Sequence, residues 1–180
     1  QSDYTSFGRY RYELDERVRN GDLEPVFEIF NTFRTRTAER VAYANMLLAE
    51  EPDFTVNESF QFDRSELGWA RSEEELQEVW RKRVKNDALS LTLTEKPWEE
   101  TSELLKQRYE RLLRRVTQIT SDDVFETFMN SLAHTVDPHS SYLSPRNSEE
   151  YRIQMSLSYD GIGASLQLED DYVTVTNIIP

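Results

Sequence analysis

Apolar residues recur every three or four positions through most of the chain and switch to alternation only near its end. Tyr10, Leu14 and Val18 are four apart and Gly21 follows where a helix C-cap sits, which predicts a short helix over residues 10–20. Asp22 can cap the next helix, with Pro25 in its first turn. A stripe of Val26, Phe30, Phe33, Val41, Ala44 and Leu48 then runs until Glu51-Pro52 stops it. Over residues 53–71 the period fails, and Phe54, Phe60, Phe62 and Trp69 suggest an extended segment pinned by its rings.

Ser72-Glu73-Glu74-Glu75 reads as a capping box, because a Ser hydroxyl and a Glu three residues on can each satisfy a backbone donor of the other. It introduces the stripe Leu76, Trp80, Val84, Ala88 and Leu91. Pro97 suits the first turn of a further helix, whose apolar face is Trp98, Leu105, Tyr109, Leu112, Val116 and Ile119, with Arg111, Arg114 and Arg115 crowding its far end. Ser121 with Asp122 and Asp123 opens another helix, carrying Val124, Phe128, Leu132 and Val136 to the stop at Asp137-Pro138. Asn147-Ser148-Glu149-Glu150 reads as the cap of a last short helix reaching about Met155.

From there the period becomes two. Ala164, Leu166 and Leu168 alternate with Ser165, Gln167 and Glu169, Glu169-Asp170-Asp171 makes a turn, and residues 172–179 are rich in β-branched types. A lone hairpin is marginal in water, and Val173 and Val175 on one face with Ile178 and Ile179 near the other need more strands to cover them. The expected fold class is therefore mainly α: a multi-helix domain followed by a β-hairpin that begins a second, truncated domain.

Charge narrows the function classes. The 180 residues hold 34 Asp and Glu against 21 Lys and Arg, a net charge of -13, which repels phosphate backbones and anionic lipid and argues against nucleic-acid binding. The net negative charge is concentrated in residues 122–180, where ten Asp and Glu face only Arg146 and Arg152, about -8 of the -13. The absence of cysteine removes disulfides, thiolate metal sites and a Cys nucleophile. No apolar run of about 18 residues is present, so no membrane insertion is expected.

His134, Asp137, His139, Ser140, Ser141 and Ser144 lie close together in sequence and invite comparison with a hydrolase triad. A triad holds its base in space between nucleophile and acid, and a local cluster in a turn has no special claim to that, so Asp137 and the serines are expected to cap turns and helix ends. Metal binding is not indicated, since a site needs three or four converging ligands, and no cofactor is expected. The acidic pairs at helix starts answer the helix dipole. Asp160-Gly161-Ile162-Gly163-Ala164 lies directly before a strand; glycines there let backbone N–H groups turn toward an anion, although a plain turn or bulge explains the pattern equally well.

Several stretches carry a family resemblance. Asp137-Pro138-His139-Ser140-Ser141-Tyr142-Leu143-Ser144-Pro145-Arg146-Asn147, Met155-Ser156-Leu157-Ser158 and Gly161-Ile162-Gly163-Ala164 closely resemble the tail-specific proteases, periplasmic C-terminal-processing peptidases. Arg83-Val84-Lys85-Asn86-Asp87, Arg108-Tyr109 and Ser121-Asp122-Asp123-Val124-Phe125 fall in the same order and spacing, and the likeness runs from about Leu23 to Pro180.

The resemblance implies a helical N-terminal domain over residues 1–146, a short helix and linker over 147–158, and the start of a truncated PDZ domain over 159–180. It implies a parent serine endopeptidase with a Ser nucleophile and a neutral Lys base, located in the periplasm. This chain shows no signal sequence, and none of its residues matches the Ser or Lys, so no catalytic residue is nominated. Gly161, Ile162, Gly163 and Ala164 would form a carboxylate-binding loop, with Ser165 and Leu166 pairing with the substrate backbone. The implied partners are protein substrates with exposed apolar C-termini and a periplasmic adaptor; a non-enzymatic interaction or scaffolding module is the alternative. The hairpin edges could also pair between chains to give a dimer.

Overall fold

The computed structural model describes residues 2–156, 163–169 and 172–178. Among them seven helices precede one hairpin: α1 (Ser2–Gly8), α2 (Leu14–Arg19), α3 (Glu24–Leu47), α4 (Glu73–Thr92), α5 (Trp98–Thr117), α6 (Ser121–Val136), α7 (Pro145–Ser156), β1 (Ala164–Glu169) and β2 (Tyr172–Ile178). This is the mainly α class that the periodicity implies. The chain divides into two units, residues 1–128 and 129–180.

The first unit is built on α3, α4 and α5, which pack against one another in all three pairings. Val41, Ala44 and Leu48 of α3 and its C-cap meet Val84 and Ala88 of α4 and Leu105 and Tyr109 of α5 in one buried cluster. Ala44 and Ala88 are both 0% exposed, and a methyl in each place lets neighbouring backbones come close where a larger side chain would hold them apart. Tyr109 is buried with its hydroxyl donating to Asp87 Oδ2 at 2.7 Å, and its ring centroid lies 6.3 Å from that of Trp80. Burial first, and the bond to Asp87 second, push the phenol well above its ordinary pKa.

Helix ends follow local chemistry, with shifts from the sequence expectation. The helix expected over 10–20 is confined to α2, and Tyr10 instead sits in the preceding turns with its hydroxyl bonded to Glu28. Gly21 (φ 76°) closes α2 in a Schellman arrangement, Asp22 N–H donating to Arg17 O at 2.8 Å and Gly21 N–H to Val18 O at 3.0 Å. Asp22 Oδ1 then takes the Glu24 N–H at 3.0 Å, so one residue ends a helix motif and starts the next. At α4 Ser72 Oγ accepts from Glu75 N, and the Glu75 carboxylate takes the N–H of Arg71, one residue earlier than a standard box would have it. Thr120 rather than Ser121 caps α6, exchanging bonds with Asp123 through its backbone N–H at 2.9 Å and its hydroxyl.

The first part of the 53–71 segment is held against the helices. Phe54 packs against the core cluster, and the Glu58 carboxylate is gripped by Arg81 and by Lys85 Nζ, the latter at 2.6 Å. The expected pinning by rings fails further on: Phe62 is 74% and Trp69 92% exposed. No helix among the described residues is long and apolar enough to cross a membrane.

In the second unit α7 begins at Pro145, two residues before the expected start, because Ser144 accepts the Asn147 N–H at 3.3 Å and Pro145 tolerates the first helical position. β1 and β2 pair antiparallel, Ala164 opposite Ile178 and Leu166 opposite Val175, with a register shift between Ser165 and Leu166 that leaves Thr176 as the extra residue. The Thr176 hydroxyl donates to Ser165 O at 3.2 Å.

Two outcomes test this account of the first unit. Leu105→Ala, at a side chain 1% exposed, is expected to cost about 2–5 kcal/mol in urea unfolding followed by circular dichroism, against a smaller loss for Leu112→Ala, 37% exposed on the same face of the helix. Arg81 and Lys85 hold the Glu58 carboxyl down at about 2 from its ordinary 4.5. Its folded pKa is depressed, so its contribution is complete above 4.5 and is lost as pH falls toward 2. Glu58→Gln should therefore lower the urea midpoint at pH 7 and flatten its decline through the acid range; an unchanged decline would remove Glu58 from the explanation.

Candidate functional site

The candidate residues lie in the second unit, in the turn after α6 and at the start of β1. Asp137 ends α6, its N–H donating to Ala133 O at 2.9 Å. Its carboxylate is the hub of the turn: Oδ1 takes the His139 N–H at 3.0 Å and faces His139 Nδ1 at 3.3 Å, and Oδ2 takes the Ser140 hydroxyl at 2.7 Å. These donors, the His139 backbone N–H first and the Ser140 hydroxyl second, hold the Asp137 carboxyl below its ordinary pKa.

That arrangement differs from a nucleophile site in its order. A triad places imidazole between hydroxyl and carboxylate so that the ring can take the hydroxyl proton. Here the carboxylate lies between Ser140 and His139, the serine proton points at Asp137, and the His139 ring is 92% exposed. Ser144 caps α7, and His134, exposed in the last turn of α6, makes no direct bond with the Asp137 cluster. The turn is a structural Asx motif, as the local clustering suggests. Among the described residues no three His, Asp or Glu side chains converge to hold a metal ion.

Asn130 is the residue that sequence reasoning missed. From the middle of α6 its Oδ1 accepts the Tyr142 N–H at 2.8 Å and its Nδ2 donates to Tyr142 O at 3.0 Å. One amide thus replaces a rung of β-ladder and fixes how far the turn stands from the helix. The available signal was a carboxamide at the centre of an apolar helix, flanked by Phe128 and Leu132.

Of the proposed carboxylate-binding loop, Gly161 and Ile162 lie outside the described residues. Gly163 has φ 66° and leads directly into β1. That conformation costs a side-chain-bearing residue roughly 1–2 kcal/mol, so glycine is favoured there. Ala164, Ser165 and Leu166 follow in β1, which among the described residues pairs on one side only, with β2. An edge strand of this kind presents backbone donors and acceptors to an added strand.

The upstream motifs are structural partners of one another. Val84 is in the core, Arg83 lies over the Trp80 ring at 4.9 Å, Lys85 holds Glu58, and Asp87 receives the hydroxyl of Tyr109.

Residues 1–146 match the family described as Tail specific protease N-terminal domain. A tail-specific protease of Haemophilus influenzae is 37% identical over 172 residues, covering 96% of this chain and 25% of the relative, so the chain spans about a quarter of that relative's length. The matched region takes in α1 to α6, the Asp137 turn and the start of α7, and the chain belongs to the tail-specific protease N-terminal domain family.

Proposed function

We propose that this chain is the N-terminal portion of a periplasmic serine endopeptidase that processes or degrades proteins from their C-termini. The helical part supports engagement of substrate or adaptor, and residues 159–180 open a PDZ domain that reads the substrate's terminal carboxylate. The nucleophilic Ser and its Lys base belong, in this reading, to the remainder of the parent protein, and the chain by itself does not hydrolyse peptides. The observation that carries the reading is Gly163 at φ 66°, set immediately before a strand whose second edge is unpaired among the described residues, in a chain matched along 96% of its length by a tail-specific protease. Backbone N–H groups in such a turn suit an anion, and the strand edge suits an extended peptide.

The test uses the complete reading frame that encodes this segment, with an unfolded reporter ending either in apolar residues or in two aspartates. The apolar-ended reporter should be cleaved at least about tenfold faster, and Gly163→Val should lower kcat/KM on it by about tenfold, by straining the turn. Equal cleavage of both reporters, or a Gly163→Val enzyme as active as the parent, would remove the carboxylate-reading role. No cleavage by the full protein would favour a scaffolding module instead.

A further inference from the structure

α5 has two faces of opposite character. Leu105, Tyr109 and Val116 are buried in the first unit. On the outer side Arg108, Arg111 and Arg115 follow one another at three- and four-residue spacing, which places them on one stripe. Leu112, 37% exposed, borders that stripe on the side of the buried face, Arg114 borders it on the other side, and Lys106 lies round the helix from them.

Among the described residues none of these five cations makes an ion pair, although the chain holds 34 Asp and Glu. Elsewhere cations find carboxylates readily: Arg9 with Glu28, Arg17 with Asp22, Arg36 with Asp3, Arg40 with Glu73, and Arg81 with Glu58. Arg11 and Arg83 lie over the rings of Tyr12 and Trp80. The other cations without a carboxylate, Arg34, Arg64 and Arg71, are isolated on separate segments. Helix-dipole compensation accounts for Arg114 and Arg115 in the last turn of α5. It does not reach Lys106, Arg108 or Arg111.

We propose that this face of α5 binds an acidic segment of a partner polypeptide, with carboxylates on Arg108, Arg111 and Arg115 and an apolar side chain over Leu112. Charge complementarity selects the partner. Guanidinium groups offer paired N–H donors that match carboxylate geometry, and the half-exposed leucine beside them favours a ligand that alternates acid with apolar groups. A dense polyanion is disfavoured, because the net charge of -13 repels an extended phosphate array more strongly than a short acidic peptide.

The 180-residue chain can be titrated into a fluorescein-labelled peptide of Glu pairs separated by Leu, read by fluorescence anisotropy at low and at physiological salt. Saturable binding is expected, weakening about tenfold or more with added salt. The triple variant Arg108→Glu, Arg111→Glu, Arg115→Glu should bind at least about tenfold more weakly, and the matching Gln triple should show a smaller loss in the same direction. Arg64→Glu with Arg71→Glu should stay within about twofold of the unaltered chain. Absence of saturable binding at low salt, an equal loss in the Arg64 and Arg71 variant, or tighter binding to duplex DNA or to anionic phospholipid vesicles than to the peptide would each overturn the proposal. Circular dichroism of both triples guards against misfolding, and a folded Gln triple with full affinity would also overturn it.

Discussion

Close packing around Ala44 and Ala88 is the constraint on which the first unit depends. Both side chains are fully enclosed where α3, α4 and α5 pack together, so a larger side chain at either place would have to push its neighbours apart. Leu48, Val84 and Leu105, each 1% exposed, fill the space around them. Once the three helices are fixed in this way, Tyr109 falls beside Asp87 and Trp80, and its hydroxyl is satisfied without water. The same placement presents Arg81 and Lys85 to Glu58, so that the stretch after α3 is tied down by its first residues and left open further on.

The second unit works by different means. None of the described residues of this unit is completely buried, and order in the Asp137 turn comes from polar contacts: one carboxylate collecting two donors and one carboxamide clasping both backbone groups of Tyr142. Such contacts hold geometry firmly while supplying little of the apolar burial that stabilises a core. The hairpin goes further in the same direction, with every residue of β2 exposed. The edge left unpaired among the described residues and the glycine before β1 suit the addition of a strand, which is the physical basis for the proposal that this end of the chain captures peptide.

The two functional readings occupy separate parts of the chain and ask different things of it. The loop before β1 needs backbone N–H groups in a fixed turn, and Gly163 supplies the required dihedral. The outer face of α5 needs only charge held on a rigid helix, and the buried side of that helix provides the rigidity. Neither requires a nucleophile from this chain, which agrees with a His139 ring that lies out in solvent and a Ser140 proton already directed at Asp137.

The sequence by itself determined the helical class, the three long core helices and the hairpin, because a period of 3.6 or 2 written over many residues survives small errors at the ends. It also determined the family, since long matching stretches are read directly from residue identity. Where an element begins was less legible: Thr120, Ser144 and the Arg71 N–H won their capping bonds over the neighbours expected to make them, a competition settled by local backbone geometry worth about 1 kcal/mol. Only the tertiary structure decided which apolar residues are core. Phe33 and Leu112 lie on the predicted stripes yet remain 52% and 37% exposed, because a stripe tells which way a helix faces and the position of its neighbours decides how much of that face is covered. The pairing of Tyr109 with Asp87 and the clasp of Asn130 on Tyr142 were likewise beyond periodicity, since each joins residues that only folding brings within reach.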